Sequence, residues 1–495
     1  MHITQALLLP ALLSSVAAAI SQTFPGLNKR FNHASRERQA TFKSQAIHPV
    51  PWDQSSFTPI GSLDALSVEQ FTTLGHPAFP AYSVRIKRAD PAVFTCDPTV
   101  KTYTGYIDVT GAKHLFFYFF ESRNDPANDD VIFWTNGGPG CSSGLGLFME
   151  LGPCHVFSDE GPVFNPYSWN SNASIFFVDQ PIGVGFSYAD YDEIVSTTEE
   201  AAKDIAAFVA IFFQNFPDFQ TRGFHMAGES YGGRYLPVFA SEVYDQNARL
   251  VEAGITPINL TSIMMVHPLP PIMSIGASII TILCQFPKCE RWTKVACIDK
   301  FDALGCRAAT DFCNNQLVAP FDATGMNPYD ISKKCEGDPE DLCYPVTRYI
   351  REYLDDPDIR AALNVSPSLG KFNSCSNDVG AAFEATMDEY HPSDSYVAEL
   401  LERGIRVLVY VGAYDWICNW IGNERWTLAL PWSGQEQFAN QPLTERYVNG
   451  AVAGRTRSAA GFTYATVNEA GHMVPYDKPE EALEMVNRWL AGATL

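Results

Sequence analysis

Basic residues are scarce in this 495-residue sequence: 34 Lys and Arg stand against 56 Asp and Glu, which gives a formal net charge of −22. Such a charge repels a phosphate backbone, and no basic run with interleaved aromatic residues occurs. Nucleic acid is therefore not an expected partner. Charged residues make up only 18% of the chain and hydrophobic ones 46%, so the composition predicts a globular protein with one large core.

Long apolar runs are also missing. The run over residues 6–20 is too short to span a bilayer, and the run "HLFFYFF" from His114 has only strand length, so no membrane anchor is expected. The first run ends in three alanines, which is typical of a secretory signal peptide over residues 1–19. We expect a protein of the secretory pathway, either vacuolar or extracellular. The sequence gives no indication of oligomeric state.

The twelve cysteines include no C-x-x-C pair in the cysteine-rich stretch between Cys284 and Cys313, which disfavours a zinc site. In a secretory chain they predict disulfides instead. Three N-x-S/T sequons, at Asn172, Asn259 and Asn364, are candidate glycosylation sites in the same compartment. We expect neither a metal nor a cofactor.

The texture of the chain changes after the basic cluster "VRIKR" at residues 84–88. The preceding segment is polar and irregular, so residues 20–88 are interpreted as a propeptide, with a charged linker as the alternative. Residues 89–495 then form one domain. Within it, a cysteine-rich stretch at about 266–350 interrupts the regular pattern and is interpreted as a cap insertion over the sheet edge.

Strands alternate with helices in this domain. The runs "YTGYIDV", "HLFFYFF", "VIFWT" and "SIFFVD" predict strands, the last two of the fully apolar kind that a buried parallel strand shows. The segment "STTEEAAKDIAAFVAIFFQNF" predicts a helix with a capping box from Ser196 to Glu199. Its apolar face consists of Ile205, Phe208, Val209, Phe212 and Phe216. The pattern predicts an α/β fold whose ligands bind beyond the carboxyl ends of the strands.

Ser230 lies in a G-x-S-x-G pattern between Gly228 and Gly232. The pattern alone also fits an ordinary tight turn. Here the apolar run "GFHMA" precedes it and a helix-like stretch follows it, which is the strand, sharp turn and helix of a nucleophile elbow. The context favours a nucleophilic serine.

A nucleophilic serine needs a base and an acid that orients the base. Asp415 follows the apolar run "IRVLVYV", and His472 follows the run "FTYATV", so both leave the predicted carboxyl edge of the sheet in the order Ser, Asp, His. Other histidines lack this position. His225 lies inside a predicted strand, where a core role is favoured, and neither His114 nor His391 has a comparable place in the pattern.

Four motifs together closely resemble the serine carboxypeptidases of the carboxypeptidase Y type. They are "TNGGPGCSS" at 135–143, "GESYGG" at 228–233, "DWICNWIGNERW" at 415–426 and "GHMVP" at 471–475. They occur in the family's order over most of the chain after Arg88. The resemblance implies an α/β-hydrolase fold with a mostly parallel sheet flanked by helices, and it implies hydrolysis of single residues from peptide and protein C-termini at acidic pH.

The resemblance also assigns roles. It implies that Ser230 is the nucleophile, His472 the general base and then acid, and Asp415 its orienting partner. Further roles implied are an oxyanion hole made by the backbone N–H groups of Gly138 and Tyr231, and a grip on the terminal carboxylate made by Asn136, Gly137, Glu150 and Glu229. Two carboxyl groups brought together raise at least one pKa, so acid would favour binding.

Pocket residues and disulfides are likewise implied. Met149 and Met473 would line the leaving-residue side and Tyr231, Trp416 and Ile417 the other, which predicts a preference for bulky hydrophobic residues; Cys418 would be a free thiol near the pocket. The implied disulfides are Cys141–Cys375, Cys335–Cys343, Cys297–Cys306 and Cys289–Cys313. Cys96, Cys154 and Cys284 receive no partner.

The resemblance fails after "NLTSIMM", where the family has a Gly-Asn-Gly turn and this chain has Val266, His267 and Pro268. Proline cannot adopt the positive φ of glycine, so this loop must take another path. Either the specificity pocket differs or residues 266–283 come from a misread exon boundary. Two alternatives to a peptidase stay open: an acyltransferase on the same scaffold, against which the retained pair Glu150 and Glu229 argues, and an inactive homologue, which the altered segment suggests.

Overall fold

A computed structural model describes residues 57–90, 96–109, 112–191, 193–266 and 292–495. The predicted signal peptide lies outside these ranges, and so does the first part of the predicted propeptide. The strands of the described residues are β1 Thr72–Leu74, β2 Tyr82–Arg88, β3 Thr102–Val109, β4 Lys113–Phe120, β5 Val131–Thr135, β6 Cys154–His155, β7 Val163–Phe164, β8 Ser174–Val178, β9 Tyr188–Ala189, β10 Phe224–Glu229, β11 Leu260–Val266, β12 Met326–Asn327, β13 Asp330–Lys334, β14 Arg406–Gly412, β15 Thr444–Val448, β16 Ala451–Ala459 and β17 Phe462–Val467.

The helices of the same ranges flank the strands. They are α1 Thr198–Asn215, α2 Gly232–Glu252, α3 Ala303–Cys313, α4 Ala319–Asp322, α5 Thr347–Asp355, α6 Pro357–Leu363, α7 Asn377–Thr386, α8 Asp394–Glu402, α9 Trp420–Ala429, α10 Gln435–Ala439, α11 Val474–Asp477 and α12 Pro479–Leu490. Short 3₁₀ or π turns occur at Leu63–Ala65, Gly146–Glu150, Trp169–Ser171, Pro217–Phe219, Lys294–Asp299, Asn314–Val318, Pro339–Asp341 and Asp388–Tyr390.

One sheet of thirteen strands runs through the described part of the chain in the order β1-β2-β3-β4-β8-β5-β10-β11-β14-β17-β16-β15, with β9 beside β4. Its six central strands, from β8 to β17, are parallel, and both flanks are antiparallel. The residues of β5 and β8 are buried throughout, as their unbroken apolar sequences predict. The predicted α/β-hydrolase architecture is confirmed, and the carboxyl ends of the central strands share one edge.

Helix α1 packs its predicted apolar face into the core on one side of the sheet. Ile205, Phe208, Val209, Phe212 and Phe216 are all buried there. The predicted capping box is displaced by one residue: the N-cap is the residue before Thr198, and its hydroxyl accepts a hydrogen bond from the backbone N–H of Glu200. The next residue, Thr198, does not cap the helix, and its hydroxyl donates to Asp388 instead.

The end of the predicted propeptide is a structured part of the domain. Strand β2 pairs with β3 along seven residues and with β1 on its other side. Val84 and Ile86 are fully buried, while the Arg85 guanidinium lies over the rings of Phe71 and Tyr106 and pairs with a carboxylate. The expectation of an irregular segment or a linker up to residue 88 is therefore wrong for residues 72–88, because basic side chains cover aromatic rings on a sheet strand.

The predicted cap insertion lies between β11 and β14 in the chain. Its described part, residues 292–350, carries α3, α4 and the two-stranded sheet β12–β13. Residues 267–291, which hold the segment that departs from the family pattern, lie outside the described residues.

Four disulfides tie the described ranges together: Cys96–Cys154, Cys141–Cys375, Cys297–Cys306 and Cys335–Cys343. Three are pairs that the resemblance implied, and the fourth joins two cysteines that it left unassigned. Cys313, which the resemblance paired with Cys289, carries a free thiol with its sulfur 3.9 Å from Thr293 Oγ1. Cys284 and Cys289 themselves lie outside the described residues.

Among the helices described, none combines the length and the apolar character needed to cross a membrane.

The placement of β2 predicts that Ile86→Asp destabilises the unprocessed chain by about 3 kcal/mol, since a charge would be buried between two strands. Ile194→Asp is the matched control, because Ile194 is 72% exposed. Chemical denaturation of the two variants measures the difference. Equal stability of both variants would show that residues 82–88 do not lie in the sheet.

Candidate active site

Ser230 stands at the sharp turn between β10 and α2. Its φ of +57° lies in the left-handed region, which a non-glycine residue adopts only when its surroundings force it. The backbone carbonyl of Ser230 accepts from Gly233 N–H, so the turn leads straight into the helix. This is the geometry of a nucleophile elbow, which raises the serine hydroxyl above the carboxyl edge of the sheet.

Asp415 and His472 reach the same edge from loops after β14 and β17. Asp415 Oδ2 lies 2.7 Å from His472 Nδ1, and both side chains are buried. Asp415 Oδ1 accepts from the backbone N–H of Cys418 at 3.0 Å, which fixes the carboxylate. The structure therefore brings the predicted acid and base together, in the arrangement that leaves Nε2 of the imidazole for a nucleophile.

The histidine loop is held by the cap insertion. His472 N–H donates to the carbonyl of Tyr329 at 2.7 Å, and Gly471 N–H donates to Asp477 Oδ2 at 2.8 Å. Lys333 bridges Asp330 and Asp477 at 2.7 and 2.8 Å, so the strand β13 and the loop of the base are joined by ion pairs. Sequence reasoning missed these contacts, because the partners lie about 140 residues apart.

The glycine-rich loop at 136–144 packs directly against the elbow. A Cβ on Gly137 would collide with the backbone nitrogen of Tyr231 and would lie 2.6 Å from the carbonyl oxygen of Glu229, so only glycine allows this approach. Gly138 has a φ of +110°, again a glycine conformation. The backbone N–H groups predicted to form an oxyanion hole therefore come from two segments in direct contact.

Asp179, which directly follows β8, binds this glycine-rich loop through its carboxylate. The sequence did not single it out. The buried carboxylate accepts from Ser142 Oγ at 2.6 Å, from Ser143 N–H at 3.0 Å and from Phe186 N–H at 3.0 Å. Ser143 Oγ in turn accepts from the N–H of Asn136. Burial raises the pKa of Asp179 to about 6, while these donors lower it.

Glu150 and Glu229 form a carboxyl pair beside the elbow. Both are buried, and the two carboxyl groups lie close enough for the charge of one to shift the pKa of the other. Burial and then the neighbouring charge of Glu229 raise the pKa of Glu150 well above its ordinary value. Burial also raises the pKa of Glu229, to about 7. Because two adjacent carboxylates in a dry site cannot both ionise cheaply, the pair holds a proton that belongs to both.

Asn136 completes this group. Its side-chain Nδ2 donates to Glu229 Oε1 at 2.6 Å, and its Oδ1 accepts from Trp134 Nε1 at 2.8 Å and from Gly146 N–H at 3.1 Å. The amide orientation is therefore fixed by two donors. Among the described residues, neither oxygen of Glu150 nor Oε2 of Glu229 has a partner outside the pair. Such unsatisfied buried oxygens are available to a ligand.

Comparisons with known proteins agree with this geometry. The family model described as "Serine carboxypeptidase" matches residues 91–492. This chain belongs to the serine carboxypeptidase family. Carboxypeptidase Y of Komagataella phaffii is 42% identical over 83% of this chain and 80% of its own length. The vacuolar serine-type carboxypeptidase ATG42 of Saccharomyces cerevisiae is 40% identical over 85% of each chain.

A solved structure shows the same fold. The prohormone-processing carboxypeptidase Kex1(delta)p of Saccharomyces cerevisiae superposes with a TM-score of 0.70 at 22% identity, over 82% of this chain and 95% of that one. The chain described here is thus a serine-type carboxypeptidase with an α/β-hydrolase fold.

Cys418 lies against the Asp415–His472 pair. Its sulfur, a ring nitrogen of His472 and a carboxylate oxygen of Asp415 lie within 4.8 Å of one another. Burial raises the pKa of the Cys418 thiol to about 11, and the charge of Asp415 adds to the shift. Burial lowers the pKa of His472, but the neighbouring Asp415 raises it by more than burial lowers it. The net shift of the His472 pKa is therefore upward.

The remaining predicted pocket residues differ in exposure. Met149 and Met473 are buried next to Glu150 and His472 in the chain. Trp416 stacks on Phe321 of the cap insertion at 4.1 Å, and Ile417 is 36% exposed. Tyr231 is 1% exposed, so its side chain points into the protein interior and not into the solvent.

The other histidines that the sequence offered have other partners. His225 is fully buried between Ser262 Oγ, 2.7 Å away, and Asp130, which supports the core role. His114 lies between Asp108 and Asp190 on a strand that is paired on both sides. The sequon residues Asn172 and Asn259 are exposed and Asn364 is half-buried.

The position of Cys418 predicts that a small organomercurial abolishes peptidase activity, whereas iodoacetamide reacts slowly at neutral pH because the thiolate is scarce. The Cys418→Ser variant should resist the mercurial and retain activity within about tenfold of the unmodified enzyme. Stoichiometric titration followed by activity assay checks this. Full activity of the enzyme with Cys418 fully mercurated would contradict the placement.

Proposed function

We propose that this serine carboxypeptidase releases single residues from the C-termini of peptides and proteins at acidic pH. The carboxyl pair beside the elbow carries the proposal: a shared proton and the Nδ2 of Asn136 form a donor set for a terminal carboxylate. Glu229 directly precedes Ser230 in the chain, so a carboxylate held by the pair lies about one residue from the hydroxyl. This spacing selects the last peptide bond and favours an exopeptidase.

The proposed reaction proceeds through an acyl-enzyme. Ser230 Oγ attacks the scissile carbonyl carbon while Nε2 of His472 takes its proton, and Asp415 stabilises the resulting imidazolium. The backbone N–H groups of Gly138 and Tyr231 stabilise the oxyanion. His472 then gives the proton to the leaving amino group, the C–N bond breaks, and water later hydrolyses the ester by the same route. The chain itself supplies every group, so no cofactor is proposed.

The proposed substrates end in bulky hydrophobic residues. Met149 and Met473, which are buried and neighbour Glu150 and His472 in the chain, would line the leaving-residue side, and Trp416, Ile417 and Tyr231 would line the other. A cleft of about 520 Å³ continues from Gly138 and Tyr231 between α3 and the segment after α7, with room for the upstream part of a peptide. Substrates are therefore peptide C-termini.

Location and maturation follow the same reasoning. The vacuolar name of one relative and the predicted signal peptide support a secretory route ending in a vacuole, with secretion as the alternative. Glycosylation at exposed sequons fits that route. We further propose a propeptide removed near Arg88. Since β2 lies within the sheet, removal up to that residue would uncover the edge of β3.

The test of the proposed function uses an N-blocked peptide with a free C-terminus and the same peptide amidated, with Ser230→Ala as the control. We expect stepwise loss of residues from the free acid only, with a lower KM at about pH 5 than at about pH 8, and no loss with the variant. Product masses are followed over time. Equal cleavage of both peptides would contradict recognition of the terminal carboxylate by the pair. No cleavage by the folded enzyme would favour the acyltransferase or the inactive homologue.

The carboxyl pair predicts different pH profiles for a peptide and for a matched ester without a C-terminal carboxylate. As pH rises through the raised pKa values of the pair, its proton is lost and two carboxylates repel the substrate, so KM for the peptide should rise at least tenfold between about pH 5 and 8. The ester should keep its KM, with kcat limited only on the acid side by protonation of His472. Parallel KM profiles would refute the grip.

Glu150→Gln separates the charge of the pair from its shape. The amide is isosteric and donates a hydrogen bond at every pH, so KM for the peptide should lose most of its rise above neutral pH. Steady-state kinetics at four pH values measure this. Glu352→Gln is the control, since Glu352 is exposed on α5. A pH profile of Glu150→Gln identical to that of the unchanged enzyme would place the titrating group elsewhere.

A further inference from the structure

Asp388 is a buried carboxylate outside the triad that contacts the residue after the nucleophile. It begins the short turn after α7 and is 1% exposed. Its Oδ2 accepts from Tyr231 Oη at 2.7 Å and from Thr198 Oγ1 at 2.6 Å, and its Oδ1 accepts from Thr198 N–H at 2.8 Å. The N-terminus of α1 and the side chain of Tyr231 therefore meet on one carboxylate.

A cation balances this buried charge. Arg234, one turn into α2, places Nη2 3.4 Å from Asp388 Oδ1 and donates from Nε to the Asp388 carbonyl oxygen at 3.3 Å. The same guanidinium pairs with Glu199 of α1 at 2.6 Å. Because Arg234 and Tyr231 both belong to the start of α2, Asp388 binds the segment that follows the elbow at two points.

Tyr231 is held from both ends by these contacts. Its backbone nitrogen lies against Gly137 of the oxyanion loop, and its hydroxyl is fixed by Asp388. The ring between them packs edge-to-face on Tyr235 and Phe383, with centroid distances of 5.0 and 6.1 Å. A hydroxyl anchored at the far end of a packed ring leaves the backbone of the same residue little freedom.

The segment of Asp388 also borders the cleft that leads away from the elbow. Met387, Glu389 and Tyr390 line this cleft together with Gly138 and Tyr231. Asp388 thus lies within the segment that borders the cleft where the upstream part of a peptide would bind. Its hydrogen bond to the Tyr231 hydroxyl connects this segment to the proposed oxyanion-hole donor. Neither the carboxyl pair nor the triad contacts it in the described hydrogen bonds and ion pairs.

We propose that Asp388 is a positioning residue of the oxyanion hole: through the Tyr231 hydroxyl it fixes the residue whose backbone N–H stabilises the oxyanion. This inference rests on the proposed function of Ser230 and Tyr231. Loss of the anchor should affect the transition state, where the donor must lie at hydrogen-bonding distance from the oxyanion, more than it affects substrate binding.

The test compares Tyr231→Phe, Asp388→Asn and the double variant with the unchanged enzyme. Each single variant should lower kcat for the peptide about tenfold, less than the loss of a whole donor, with KM within about twofold. Because both changes break one hydrogen bond, the double variant should be no slower than the slower single variant. Multiplied effects in the double variant would overturn the proposal, and so would kcat values unchanged in both single variants.

Tyr103→Phe is the matched control for structural loss. Tyr103 is a fully buried tyrosine of β3 whose hydroxyl donates to Glu121 Oε1 at 2.7 Å. The substitution therefore removes the same kind of tyrosine–carboxylate hydrogen bond, far along the chain from the elbow. Its melting temperature should fall as that of Tyr231→Phe does, while its kcat stays unchanged. An equal loss of kcat in this control would reduce Asp388 to a stability role.

A second readout separates this proposal from the peptidase proposal. A fluorophosphonate labels the nucleophile when Ser230 Oγ displaces fluoride at phosphorus, and the phosphoryl oxygen occupies the oxyanion hole whatever the natural substrate is. Its labelling rate should fall about tenfold in Tyr231→Phe and not in Tyr103→Phe. If peptides are not cleaved but this pattern holds, the peptidase proposal fails and the positioning role stands. Equal labelling rates refute the positioning role. If Asp388→Asn does not fold, Tyr231→Phe decides.

Discussion

Two carboxyl groups buried side by side impose the constraint on which the proposed chemistry depends. Glu150 and Glu229 lie side by side because Asn136, itself fixed by Trp134 and Gly146, holds one of them. Ionising both is costly, so the pair keeps a proton and becomes a donor. Since Glu229 and Ser230 are neighbours in the chain, a ligand carboxylate bound to this donor would lie about one residue from the Ser230 hydroxyl.

Buried aspartates hold the loops around this pair. Asp179 binds the glycine-rich loop, Asp388 binds Tyr231 after the elbow serine, and Asp477 binds the loop that carries His472. Asp179 and Asp388 come from segments other than the ones they bind, and Asp477 comes from the far end of the loop that it binds. Loops at the carboxyl edge of a sheet have few backbone partners of their own, so side-chain acceptors provide the rigidity that catalysis requires.

The sequence predicted the parts whose signals are local. The apolar runs of β5 and β17 read as strands because every residue in them is buried, and Asp415 and His472 were found from their places after such strands. Strand β2 was missed because Arg85 and its basic neighbours resemble a linker, although they cover aromatic rings. Asp179 and Asp388 were missed because an isolated aspartate has no pattern when partners such as Ser142 and Thr198 lie 37 and 190 residues away.

The central claim is that a terminal carboxylate binds to a carboxyl pair carrying one proton. Calorimetry of a short C-terminal peptide binding to Ser230→Ala, in two buffers of different ionisation enthalpy, measures the protons taken up. The account predicts more proton uptake at about pH 8 than at about pH 5, because the raised pKa values of the pair leave it less protonated at the higher pH before the peptide binds. Binding at about pH 8 without proton uptake would contradict it.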